Sequence, residues 1–384
     1  MAKQKKQNGK GKKKRGRKVF LIFLEILILL GILGWIWANG KMDMLNTDNN
    51  FQKEDVQNEE LTKETKKVLQ GYVMVALFGL DNRENNNYSS GNSDVIMVAR
   101  VDRDTKEVRL VSVYRDTFLN MADLDNPDAY GKANAAYAVG GPKQAVRMLN
   151  TNLDLDIQEY VSFDFNAVAE AVDILGGVEV EITEEEAVHL NNHCIGTAEA
   201  TGRDYEPLPE AAGTYNLTGV QAVSYGRIRQ TMGDDFKRTE RQRLVLNKMI
   251  EKALASDIGT INRLIDNVFP DIKTSLSKLE ILDLVKDAFS YQMGETSGFP
   301  FDQKPVEVSV AYQKITQDCV IPADLASNVK KLHDFLYGTT SYQVTDSVQS
   351  ISDEIAYRSG VTAVKEDTGI DTDEGSGEED EGEN

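Results

Sequence analysis

After a polar start, residues 19–38, "VFLIFLEILILLGILGWIWA", run apolar with one interruption at Glu25. Coiled as a helix, this run covers about 30 Å, one hydrocarbon thickness. Trp35 and Trp37 stand at its far end, where indoles favour the membrane interface. The run exceeds the ~7–15-residue core of a signal peptide, and "ANGKMDM" is a poor cleavage site. It predicts a retained transmembrane helix. Residues 39–68 are polar and charged and predict a stalk.

A folded body is predicted over 69–340. "YVMVALFGLD" reads as a buried strand ending at Asp81, and "SDVIMVARVD" and "VRLVSVYRD" as two more, joined by "RDTK" into an antiparallel hairpin. Helical spacing marks "KQAVRMLNTNL", "FNAVAEAVDILGG", "LTGVQAVSYGR", "RTERQRLVLNKMIEKAL", "INRLIDNVF", "LSKLEILDLVKDAF" and "ADLASNVKKLHDFLYG". "VEVEIT", "VEVSVAYQKI" and "DCVIP" read as further strands. Helices and strands alternate, so the class is α/β or α+β around a central sheet. Residues 341–384 end in "EDTGIDTDEGSGEEDEGEN" and predict an acidic, disordered tail.

Charge adds an orientation. The chain carries −19, yet residues 1–18 hold ten Lys/Arg and no acid, which leaves −29 on the rest. The basic tail belongs in the cytoplasm by the positive-inside rule, with the body outside and the tail near anionic lipid. That topology argues against nucleic acid as a partner. Cys194 and Cys319 then lie in an exported domain, where a disulfide between them and two free thiols are both compatible with the compartment.

Within this acidic body, "SYGRIRQTMGDDFKRTERQR" (224–243) gathers six basic side chains. Strand alternation puts Arg227 and Arg229 on one side. Arg238 and Gln242 share the helix face that continues through Val245 and Met249, and so point inward. Asp235 can balance one guanidinium, and Asp234 or Glu240 another. Lys237 and Arg243 read as surface, and Arg241 stays open. Arg227, Arg229 and Arg238 are candidates for a bidentate phosphate grip.

Asp94 and Arg115 fall at neighbouring ends of the hairpin. Asp81 joins them if the first strand pairs parallel to the third. This rim is either a salt-bridge cluster or a site where Mg²⁺ bridges carboxylates to a phosphate. Lys132, in "YGKANAAYAVGG", is a further phosphate contact or a surface lysine. "HLNNHC" places His189, His193 and Cys194 at metal-like spacing but lacks a fourth ligand. No Walker loop or dinucleotide fingerprint occurs.

The ordered blocks "LFGLD", "NSDVIMV", "VSVYRDT", "KANAAYAVGG", "LGGVEVEI" and "YGRIR…DDFKRTERQR" resemble the LytR-CpsA-Psr family over residues 73–246, with its helical completion to 340. The resemblance implies a central sheet flanked by helices, an N-terminal anchor and an apolar groove for a polyprenyl chain. It implies transfer of a glycopolymer from a polyprenyl-pyrophosphate carrier to peptidoglycan as a phosphodiester. Teichoic acid, capsule and other wall polysaccharides all fit. The family's Mg²⁺ carboxylates fall on Asp81 and Asp94, and its pyrophosphate-binding arginines on Arg115, Arg227, Arg229 and Arg238. Arg83, Lys132, Asp235 and Gln242 match its other pocket positions. The implied catalytic set is Arg115, Arg227, Arg229 and Asp94. Two departures are Tyr114, where the family often has Pro, and Gly226, where it often has Ala. Hydrolysis of a polyprenyl-pyrophosphate-linked substrate, and non-catalytic lipid or wall binding, are the alternatives.

Overall fold

The computed structural model describes residues 40, 46–80, 88, 91–229, 234–287, 290–310, 315–339 and 342–362. The predicted membrane span, the basic tail, Asp81 and Arg83 lie outside them. Among the described residues no helix is long and apolar enough to cross a membrane.

In chain order the strands are β1 (Asn46–Thr47), β2 (Tyr72–Leu80), β3 (Ser93–Asp102), β4 (Glu107–Val113), β5 (Phe118–Asn120), β6 (Tyr130–Lys132), β7 (Glu159–Asp164), β8 (Val178–Ile182), β9 (Gly213–Leu217), β10 (Ile272–Thr274), β11 (Gln292–Phe299), β12 (Gln303–Val310) and β13 (Ile315–Pro322). Seven form a central mixed sheet in the order β1-β10-β7-β2-β3-β4-β11. The predicted hairpin is β3–β4. β2 pairs antiparallel with β3 and parallel with β7, so the direct pairing with the third strand, the condition set for Asp81 to join the rim, is not met. β3 therefore separates β2 from β4. Both run opposite to β3, so the ends of β2 and β4 and the start of β3 still share one rim.

Strand alternation splits the sheet's apolar residues between two helical layers. Ala76, Phe78 and Leu80 face the main core, built with helices Ala135–Leu153 and Leu325–Tyr337. Val73, Val75 and Leu77 face Leu246 and Ile250 of helix Asp234–Leu254 on the other side. Helix Phe165–Ile174 lies beside it, capped by Asp164, whose carboxylate accepts from Ala167 N at 2.9 Å.

The folded body is larger than predicted at both ends. In the expected stalk, Phe51, Val56 and Leu61 are buried in the main core, and β1 joins the sheet through β10. In the expected tail, helix Asp346–Ser359 buries Val348, Ile351 and Ile355. Single apolar residues spaced through polar sequence carry both segments, and composition averages them away. The two cysteines are free and buried. Cys194 packs against the β8 cluster with Val178 and Leu190, and Cys319 lies in the main core. Separate cores keep them apart, so the possible disulfide is not formed.

Candidate functional site

A cavity of about 410 Å³ opens at the shared rim, between the sheet and helices Phe165–Ile174 and Asp234–Leu254. Gly79 lies on its floor. A Cβ there would meet Val95 Cβ at 2.8 Å and Phe163 Cε2 at 3.1 Å, so the missing side chain lets the strands close beneath the space. Met97, Phe163, Phe165, Val168, Val223, Val245, Leu246 and Met249 make the walls apolar. Asp94, Asp164, His193, Arg227, Arg229, Arg238 and Gln242 supply its polar lining.

The two arms read from the arginine stretch both reach this cavity. Ile228, fully buried, separates Arg227 from Arg229. Arg227 donates to Thr197 Oγ1 at 2.9 Å and lies over the Phe165 ring at 5.0 Å. Thr197 also accepts from Ser224 Oγ at 2.9 Å and donates to His193 O at 3.0 Å. From the helix, Arg238 is 2 % exposed, and Gln242 donates to Gly226 O at 3.0 Å. A Cβ on residue 226 would crowd Gln242 Cγ at 3.2 Å, which gives the Gly226 departure a local reason. Nothing is described of the Asp235 side chain beyond its place in this helix.

Asp94 sits where the β2–β3 register shifts: Gly79 pairs with Val95 and Leu80 with Ser93. This bulge turns its carboxylate to the rim, where it ion-pairs with Arg115. Arg115 Nε also lies 3.7 Å from Asp116 Oδ1, which Lys132 Nζ approaches at 2.9 Å. Arg115 and Lys132 are thus not cavity walls. They stand behind Asp94 and Asp116 in a chain of alternating charge.

Other members of the stretch are structural. Arg241, 4 % exposed, donates to Glu186 Oε1 at 2.8 Å and Ile228 O at 3.2 Å. Arg243, read as surface, is half-buried and donates to Ser297 O at 2.9 Å, and burial lowers its pKa. Glu240 pairs with Lys237 at 2.8 Å on the exposed face, and its charge also favours the charged form of Arg243. His193 faces the cavity while Cys194 turns into the β8 cluster, which separates two members of the zinc reading. The sequence reading missed Asp164, Phe165 and Thr197. An aspartate ahead of an apolar helix in "SFDFN" is the signal available for the first. Burial raises the Asp164 pKa, and Asp271 adds to the effect.

Such a cavity can hold an apolar chain against its walls and an anionic group at its mouth, where guanidinium groups act in a partly dehydrated setting. A Mg²⁺ ion takes one or two protein carboxylates together with phosphate oxygens, and Asp94 on the rim fits one of those places. These features define an α/β protein with a cleft of apolar walls and a charged mouth. A sequence model of the LytR_cpsA_psr family matches residues 38–318, and the chain belongs to that family. It is 29 % identical to the polyisoprenyl-teichoic acid–peptidoglycan teichoic acid transferase TagU of Enterococcus faecalis, over 72 % of this chain and 84 % of that one. It is 28 % identical to biofilm regulatory protein A of Streptococcus mutans, over 73 % and 72 %. Among solved structures, TagT bound to LI-WTA matches with a TM-score of 0.55 at 22 % identity, covering 74 % of this chain and 97 % of that one. Bacillus subtilis TagV matches with 0.54 at 22 %, covering 71 % and 98 %.

Proposed function

We propose that this protein transfers an anionic glycopolymer from a polyprenyl-pyrophosphate carrier to peptidoglycan, as a phosphodiester, at the outer face of the membrane. The observation that carries this reading is one cavity with apolar walls and with Arg227, Arg229 and Arg238 in its lining. The relatives named as teichoic acid transferases support it.

In this reading the carrier's chain lies along Phe165, Val168 and Met249. Arg227, Arg229, Arg238 and Gln242 grip its pyrophosphate, with Arg115 and Lys132 reinforcing the rim. An acceptor hydroxyl attacks the sugar-proximal phosphorus, the anhydride P–O bond breaks, and lipid monophosphate leaves. Asp94 takes the hydroxyl proton. The work of the protein is positioning and charge stabilisation. Asp81 and Asp94 would hold Mg²⁺, which when bound neutralises phosphate charge. Residues 19–38 anchor the chain beside its lipid donor, with the N-terminus cytoplasmic.

The test gives purified full-length protein in detergent a polyprenyl-pyrophosphate-linked glycopolymer and a peptidoglycan acceptor. A phosphodiester product and lipid monophosphate are expected, with transfer lost in Arg115→Ala and Arg227→Ala. Full transfer by both variants would remove the assignment, and phosphate release without acceptor linkage would make it a hydrolase instead.

A further inference from the structure

Tyr114 stands directly before Arg115 and is held on every side. Its N–H donates to Phe299 O at 2.9 Å, which carries the β4–β11 pairing one residue further. Its carbonyl accepts from Thr117 N at 2.9 Å and from Thr117 Oγ1 at 2.7 Å. A proline could not make the first of these bonds. The ring passes over Gly298, where any Cβ would collide with the phenol. It ends edge-on against Phe236, centroids 4.8 Å apart and planes at 86°.

Phe236 lies in the first turn of helix Asp234–Leu254, just ahead of Arg238 and Gln242. Further along, Arg243 ties the same helix to β11 through Ser297 O at 2.9 Å. One aromatic contact therefore joins the two halves of the charged mouth: the Arg115–Asp94 rim and the helix that carries Arg238 and Gln242. Tyr114 and Phe236 do not line the cavity themselves. We infer that Tyr114 is a positioning residue: its ring, braced on Phe236, sets the spacing between these halves and so tunes the grip on the pyrophosphate group. The inference rests on the pyrophosphate reading of the site.

The contribution of an edge-to-face pair corresponds to about two- to tenfold in an equilibrium constant. The test compares full-length wild type with Tyr114→Leu, Phe236→Leu, the double variant and Tyr114→Phe. Transfer kinetics use the polyprenyl-pyrophosphate donor, and equilibrium binding uses inorganic pyrophosphate. Each leucine variant should raise the donor KM and weaken pyrophosphate binding about two- to tenfold, with kcat nearly kept. The double variant should be no worse than either single one, because the pair acts as a unit. Tyr114→Phe, which keeps the ring, should behave as wild type. An unchanged KM and pyrophosphate affinity in the leucine variants, or strictly additive losses, overturns the inference. If Tyr114→Leu does not fold, Phe236→Leu decides in the same way. Failure of the underlying reading is distinguishable: wild type itself would then bind neither pyrophosphate nor donor, and the inference would fall with it.

Discussion

Arg227 lies across the face of Phe165, its guanidinium carbon 5.0 Å from the ring centroid. The ring belongs to the apolar wall and the guanidinium to the charged mouth, so this contact marks the boundary between them. A lysine in place of the arginine keeps the charge but loses the planar fork and the stacking. We expect Arg227→Lys to lower the transfer rate about a hundredfold, with an unchanged thermal midpoint. Steady-state kinetics with the polyprenyl-pyrophosphate donor measures the first, and calorimetry the second.

Thr197 holds that arginine in place. Its hydroxyl accepts from Arg227 and Ser224 and donates to His193 O. Valine has nearly the same shape and none of these bonds. The buried Ser224 hydroxyl and the half-buried Arg227 would lose their acceptor, at about 1–3 kcal/mol. Thr197→Val should lower the unfolding free energy by that amount and weaken pyrophosphate binding. Retained stability and affinity would show that the hydroxyl does not orient Arg227.

The C-terminal helix contributes to the core. Ile355 is 1 % exposed within the main cluster. Truncating a buried isoleucine to alanine costs about 2–5 kcal/mol. Ile355→Ala should show that loss in denaturant unfolding, which no residue of a disordered tail would do.

His333 predicts a pH dependence. It is 1 % exposed and stacks on Tyr342 at 3.7 Å with planes 7° apart, and its Nε2 donates to Leu153 O at 3.0 Å. Burial lowers its pKa to about 4. The unfolded chain takes up this proton below about pH 6.5, while the folded chain does so only near the lower value. Acidification across that window therefore destabilises the fold through His333, by up to about 3 kcal/mol. Asp154, raised by burial, works in the opposite direction, because the folded state binds its proton earlier. Unfolding measured near neutral pH and near the lower value should show a smaller acid loss in His333→Gln than in wild type. An equal loss in both would remove His333 from the account.

Much of this was legible in the sequence where one period dominates a segment. The apolar, β-branched runs of β2, β3 and β4 and the helical face of Arg238, Gln242, Val245 and Met249 marked the sheet and one cavity wall. The arms from 227–229 and 238–242 both reach the cavity, but the first does so as a turn leaving helix Gly219–Tyr225 and not as the expected strand. The partners of β11 were not legible, because "QMGETSGF" has little alternation and is held by its parallel pairing to β4. Nor was the direct neighbour of β2, since local pattern shows that a strand is buried and not which strand lies beside it. Arg241 and Arg243 are chemically the same as Arg238. Only the contacts with Glu186 and Ser297, distant in sequence, turn them into struts.

Arg238 and Met249 line the same cavity from one uninterrupted helix, Asp234–Leu254. Their separation along it is about 16 Å at the helical rise, and the helix gives this distance the stiffness of a rod. A molecule gripped at Arg238 is measured against a fixed length. On the proposed reading, the stretch of a carrier chain within that length runs against this wall. Discrimination along this stretch of wall is, on the same reading, confined to the part of the carrier lipid nearest its head, and chains that differ only at their far ends are equivalent to it.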